Sequence, residues 1–305
     1  MTTRLFTLLL LAACTTETPK DTSEPADTDT GTGDTADTGA DTSDTGVDTA
    51  DTADTAVDTA DTADTADTAD TADTSDTVDT GPCSAPSFAG PTPVVWYSLE
   101  DAGSASVTDD AGTYDATSSG TVTAVAGKAG MAAQFDGTSA HLDADVPLTT
   151  GSFSWAGWVR LDSLPSGDFG IIANHGNGPI SYSGWLLTVN STGTPMLFTE
   201  GGGGATEIAT SATTPLSLGV WTHLGVTFNA GEVMLYVNGN PAAGGTLTYT
   251  AVLDGGNPYV LGHDENNGVR YLPGTLDEVG YWNTALTAAE ITALYDDGEC
   301  GLSSI

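Results

Sequence analysis

From position 94 onward, apolar and polar residues alternate in short runs separated by Gly- and Asn-rich turns. A period of two is the signature of strands that bury one face. The runs predict strands at 94–99, 122–125, 131–135, 153–161, 185–189, 196–199, 221–229, 233–237 and 276–282. Turns such as Asn229-Ala230-Gly231 and Asn238-Gly239-Asn240 separate them, as expected for an antiparallel sandwich or jelly roll. One helix breaks the pattern near the end. Thr287-Ala288-Ala289-Glu290 forms a capping box ahead of Ile291, Leu294 and Tyr295, and Gly298 is placed to stop it.

Composition changes sharply upstream. Of 42 acidic residues, 20 lie between positions 15 and 82, with Lys20 as the sole base and no aromatic residue. From Asp27 to Thr80 the chain repeats Asp-Thr-Ala, with Ser, Gly or Val sometimes in the third place. Gly does not recur every third residue, so collagen is excluded, and no apolar stripe supports a helix. Without large apolar side chains such a tract cannot offset its ordering entropy, and it is expected to be a disordered acidic linker. Fully stretched it would reach about 230 Å. Residues 83–305 are the part able to build one large core. A net charge of −37 with five basic residues disfavours nucleic acid and anionic lipid as partners.

The N-terminus carries Arg4, the apolar run 5–13 broken only by Thr7, and then Leu11-Ala12-Ala13-Cys14. Nine residues are too short to span a bilayer, and the ending resembles a bacterial lipobox. The resemblance implies a signal peptide at 1–13, cleavage before Cys14, and lipidation of Cys14 as the sole membrane attachment. In lipoproteins of the kind it resembles, Thr directly after the Cys, here Thr15, favours the outer membrane if the cell has one, so an outer-membrane or cell-surface location is expected. The chain thus divides into a signal (1–13), a lipid-anchored linker (14–82) and a folded domain (83–305). Cys83 and Cys300 remain; in an exported chain they are expected to form a disulfide, worth roughly 5 kcal/mol on loop-closure grounds.

Five motifs in order carry a family resemblance: Met131-Ala132-Ala133-Gln134-Phe135-Asp136-Gly137; Phe153-Ser154-Trp155-Ala156-Gly157-Trp158-Val159; Trp221-Thr222-His223-Leu224; Leu235-Tyr236-Val237-Asn238-Gly239; and Gly274-Thr275-Leu276-Asp277-Glu278-Val279, followed by Asn283 and the helix start. Residues 94–297 resemble the laminin-G-like domain of the concanavalin A-like lectin/glucanase fold. The resemblance implies an all-β jelly-roll sandwich of two antiparallel sheets with one short C-terminal helix and neighbouring chain ends, in keeping with a Cys83–Cys300 bridge.

Catalytic motifs are scarce. Hydrolases of this fold commonly place alternate carboxylates on one strand, as Glu-x-Asp-x-x-Glu or a close variant, and this chain has no such run. Asp277 and Glu278 are adjacent, so on a regular strand they point to opposite faces. Gly-x-Ser-x-Gly and His-Glu-x-x-His are missing too, and His141, His175, His223 and His263 are isolated. A non-catalytic protein is expected, with His223, Tyr236 and Trp282 in packing roles. Trp155 and Trp158 should face opposite surfaces, one in the core and the other, assigned to Trp158, offering an aromatic platform. The resemblance also implies a structural Ca²⁺, with two alternative loops to hold it: 108–112, carrying Asp109, or 263–268, carrying Asp264 and Asn266, with Asp277 nearby in sequence to the latter. His263 and Asn267, from the same loop as Asp264, join Trp158 as candidate ligand contacts. The expected partner is an extracellular carbohydrate or glycoprotein. Protein–protein adhesion without a small ligand, or a glycan-active enzyme with unfamiliar motifs, are the alternatives.

Overall fold

The longest strands are buried along almost their whole length in the computed structural model, which describes residues 88–176, 183–201, 207–256, 258–264 and 270–298. The expectations placed on residues 1–82, Cys14, Cys83, Cys300, Asn266 and Asn267 lie outside the described residues. In chain order the strands begin with β1 (Val95–Tyr97), β2 (Ser106–Val107), β3 (Ala116–Ser119), β4 (Thr123–Ala126), β5 (Met131–Asp136) and β6 (His141–Ala144). There follow β7 (Ser152–Leu161), β8 (Phe169–His175), β9 (Gly184–Asn190), β10 (Pro195–Glu200) and β11 (Glu207–Ser211). The series closes with β12 (Thr222–Asn229), β13 (Glu232–Val237), β14 (Asn240–Thr246), β15 (Tyr259–Leu261), β16 (Pro273–Trp282) and the helix α1 (Ala288–Asp297).

The strands form two antiparallel sheets. The first runs β14-β13-β12-β7-β16-β5-β4, with β1 also paired to β16; the second runs β11-β10-β9-β8-β15-β6-β3-β2. The all-β sandwich with one short C-terminal helix is therefore as the sequence predicts. Between the sheets sits an aromatic core. Phe153 stacks on Trp185 at 5.2 Å and on Phe228 at 5.3 Å, and Trp185 stacks on Tyr281 at 6.0 Å. Trp155 is fully buried there and donates its indole N–H to the Tyr259 hydroxyl at 2.9 Å. Buried aromatic side chains dominate such a core energetically, and their polar atoms require partners of this kind.

The outer face of the first sheet is covered by α1. Thr287 and Glu290 make the reciprocal capping box, and Ile291 and Leu294 are buried against Tyr236, Trp282, Trp96 and Ala156. Gly225 permits the approach, because a Cβ there would stand 3.0 Å from the Ile291 side chain. No helix among the described residues is long and apolar enough to cross a membrane.

One expectation is corrected by this arrangement. Trp158 does turn away from the Trp155 core, but it is only 4 % exposed. Tyr295 of α1 lies 5.6 Å from its ring, His223 lies 5.4 Å away, and the Lys128 ammonium sits 4.7 Å over it. A helix docked on the sheet has converted the anticipated platform into a packing residue. The strand carrying Asp277 and Glu278 is irregular at this point. A bulge between Asp277 and Gly280, with Glu278 at φ 48°, leaves both buried. The bulge falls where the flank of β16 changes partner from β5 to β1.

Candidate functional site

The second sheet offers an outer face of different character. Residues paired across antiparallel strands point the same way, so the register defines a continuous row. It runs Ile208 (β11), Phe198 (β10), Leu186 (β9), Asn174 (β8), Val260 (β15), Asp143 (β6) and Thr117 (β3). The row is apolar at the β11 end and polar at the β3 end. On the apolar side, Phe169, Ile171, Leu186, Thr188, Phe198 and Arg270 line a small cavity of about 50 Å³.

The chain leaving β15 supplies the rest. Gly262 turns with φ 89°, and a Cβ there would meet the Phe135 ring at 2.6 Å, so the position demands glycine. Its N–H bonds to the Ile172 carbonyl at 3.1 Å, and its own carbonyl accepts from Leu272 N–H at 2.9 Å. This pins both ends of the 262–272 segment. His263 and Asp264 follow the turn, and Arg270 and Tyr271 return beside them. The His263 and Tyr271 rings stack 3.9 Å apart, and His141 lies 5.0 Å from His263. The Asn174 amide donates to the His263 carbonyl. Asp264 pairs with Arg270 at 3.5 Å, and the Arg270 guanidinium lies 5.3 Å over the Phe169 ring.

The electrostatics follow from burial. His263 is 6 % exposed, and its pKa is lowered to about 4 by burial, with His141 beside it adding to the effect. It is therefore neutral at ordinary pH, with one ring nitrogen a donor and the other an acceptor. Neither nitrogen has a hydrogen-bond partner among the described residues. Asp143 holds His141 Nε2 at 3.2 Å through Oδ2, while Oδ1 has no hydrogen-bond partner among the described residues. Neutral imidazole, carboxylate and aromatic ring are thus gathered into one shelf, whose buried, unpartnered atoms have the chemistry to exchange hydrogen bonds with hydroxyl groups.

Among the described residues, the candidate calcium ligands Asp109, Asp264 and Asp277 lie in separate neighbourhoods. Asp109 accepts four backbone N–H groups, from Trp96 and Ala111 on Oδ1 and from Thr113 and Tyr114 on Oδ2, at 2.9–3.0 Å. Asp277 accepts Lys128 and Ala129 N–H on Oδ2 and Glu278 N–H on Oδ1. Burial nonetheless pushes its pKa up to about 7. Asp264 sits with Arg270. Each carboxylate serves a different neighbourhood, and among the described residues no group of three or more His, Cys, Asp or Glu is arranged to hold a metal ion. The described carboxylates Asp109, Asp264 and Asp277 do not share one site.

Of the residues singled out from sequence, then, His263 and Asp264 reach the shelf, whereas Asp109, Asp277 and Trp158 belong elsewhere. His141, Asp143, Asn174, Arg270 and Tyr271 were missed. The run His141-Leu142-Asp143-Ala144, with burial alternating along β6, carried a strand signal that places His141 and Asp143 on one face.

A family model described as the concanavalin A-like lectin/glucanases superfamily matches residues 135–292. Over 170 residues, 55 % of this chain, the sequence is 24 % identical to adhesion G-protein coupled receptor V1 of Danio rerio, of whose length the match covers 3 %. Among solved structures, Domain 4 of AbnA, a GH43 extracellular arabinanase from Geobacillus stearothermophilus in complex with arabinotriose, is similar with a TM-score of 0.53. That match is 22 % identical and covers 67 % of this chain and 98 % of the other. The binding domain of Paraclostridial Mosquitocidal Protein 1 is similar with a TM-score of 0.54 and 16 % identity, covering 68 % of this chain and 52 % of the other. At these identities the structural likeness concerns the fold.

Proposed function

The chain belongs to the concanavalin A-like lectin/glucanases superfamily, and from that premise we propose that it is a non-catalytic surface protein. In this reading Cys14 anchors it by lipid, the Asp-Thr-Ala tract acts as a spacer, and the outer face of the second sheet binds an extracellular carbohydrate or the glycan of a glycoprotein. The observation that carries the reading is the shelf of His141, Asp143, His263 and Tyr271 at the polar end of the cross-strand row. Polar groups with unused hydrogen-bonding capacity beside aromatic rings are what a hydroxylated ligand requires. Hydrolysis needs two carboxyl groups facing one bond, and the adjacent acids Asp277 and Glu278 are instead buried in the β16 bulge.

The purified full-length protein, applied to a glycan array, is expected to retain saccharide without cleaving it. Arabino-oligosaccharides belong in the first panel, because the AbnA domain structure is in complex with arabinotriose. Release of new reducing ends from a bound glycan contradicts the non-catalytic half. Failure to retain any glycan contradicts the carbohydrate half and favours protein adhesion. For the anchor, Cys14→Ser is expected to abolish lipid labelling and free the protein from membranes; unchanged labelling refutes it.

A further inference from the structure

We propose that the shelf on the second sheet selects neutral, hydroxyl-rich saccharides and rejects sulfated, sialylated or uronate-bearing ones. The inference rests on the saccharide-binding reading and narrows it to a ligand class.

The first argument is the supply of cations. Recognition of a carboxylate or sulfate relies on Arg or Lys, best through the paired N–H groups of a guanidinium. Only Lys128, Arg160 and Arg270 occur beyond position 82. Lys128 lies over Trp158 on the other sheet. Arg160, also on the first sheet, is bound to Asp162 at 3.2 Å and to the Thr275 hydroxyl at 3.1 Å. Arg270 alone reaches the shelf, where it is paired with Asp264 and lies over Phe169. An acidic sugar would have to displace an existing carboxylate to reach it.

The second argument is the sign of what remains. Asp143 and Asp264 are carboxylates at the shelf, and Glu200 is buried on the β10 strand that shares the face. His263, lowered to about 4, adds no positive charge at neutral pH. The Asp143 Oδ1 atom accepts hydrogen bonds and cannot donate them, whereas the His263 ring offers one of each. A sugar hydroxyl both donates and accepts, so it satisfies this set. A sulfate or carboxylate only accepts, and it would face like charge. The net charge of −37 on the whole chain acts in the same direction at longer range.

The experiment measures affinities of the full-length protein for matched pairs on one array, each neutral oligosaccharide printed beside its sialylated, sulfated or uronate-bearing counterpart. The neutral member is expected to bind about tenfold or more tightly. Asp143→Asn, which keeps the shape and removes a charge, is expected to weaken the neutral ligand and narrow the gap, with melting used to confirm that the variant is folded. An acidic counterpart that binds as well or better overturns the inference and leaves saccharide binding standing. A gap unchanged in a folded Asp143→Asn protein removes the selection from this shelf. No binding to either member of any pair refutes the saccharide reading itself, and the inference with it.

Discussion

His263 lies flat against Tyr271, with ring centroids 3.9 Å apart and planes within 7°. The contact joins the two ends of the segment between β15 and β16 and fixes the imidazole beside Asp143 and His141. Such aromatic pairs contribute about 0.5–1.5 kcal/mol beyond their buried area. Tyr271→Ala is therefore expected to weaken saccharide binding about tenfold with a small loss of stability, whereas Tyr271→Phe keeps both. Titration calorimetry on the two variants checks this; equal binding by Tyr271→Ala would show the stack to be irrelevant.

Asp109 is expected to matter for stability rather than for metal. Its carboxylate collects three backbone N–H groups from the turn after β2 and a fourth from Trp96 of β1. Leaving buried donors without a partner costs about 1–3 kcal/mol each, so Asp109→Ala is expected to lose at least about 3 kcal/mol in urea unfolding. The loss should be the same in calcium and in EDTA. A loss seen only in calcium would restore a metal role.

Trp158 provides the contrasting case. It is packed beneath α1 on the opposite sheet, 5.6 Å from Tyr295 and 5.4 Å from His223. Trp158→Ala is expected to cost about 3–5 kcal/mol, as for other large core truncations. Trp158→Phe is expected to be milder and to leave saccharide affinity unchanged. Selective loss of binding in a stable Trp158→Phe protein would move the binding surface to the first sheet.

Acid is expected to unfold the domain through its buried histidines. Burial lowers His175 to about 4, His223 to about 3 and His263 to about 4, against an ordinary value of 6.5. Below pH 6.5 the unfolded chain takes up these protons and the folded chain does not, so stability present above 6.5 is lost as pH falls towards 4. For His175 and His223, which are the deepest, this is on the order of 3 kcal/mol apiece. Asp277, raised to about 7, opposes them, because its contribution is fullest below 3.8 and is lost as pH rises through 7. Three groups outweigh one, and the urea midpoint is expected to fall between pH 6.5 and 4. A midpoint constant over that range contradicts this balance.

The architecture was legible because β7 and β12 alternate large core side chains (Phe153, Trp155, Val159; Leu224, Val226, Phe228) with other residues, and because the helix announces itself by its capping box. Ser106–Val107, Ala116–Ser119 and Tyr259–Leu261 were not legible, since two to four residues are too short to display a period. Glycine-rich β14, Asn240–Thr246, has almost no apolar side chains to alternate. The site was half visible. His263 and Asp264 stand in a conspicuous polar loop, but His141, Asn174 and Asp143 reach them only through the pairing of β15 with β6 and β8, a long-range register that no local pattern encodes. Trp158 misled for the reciprocal reason. Strand alternation turns it outward, and only the docking of α1 decides that outward is still inside.

Hydrogen exchange on the full-length protein, with and without the tightest oligosaccharide from the array, locates the binding face most directly. If the second sheet binds the sugar, amides of β6, β15 and residues 270–272 gain protection while α1 and β12 stay unchanged. Protection confined to α1, β12 and the surroundings of Trp158 would contradict it.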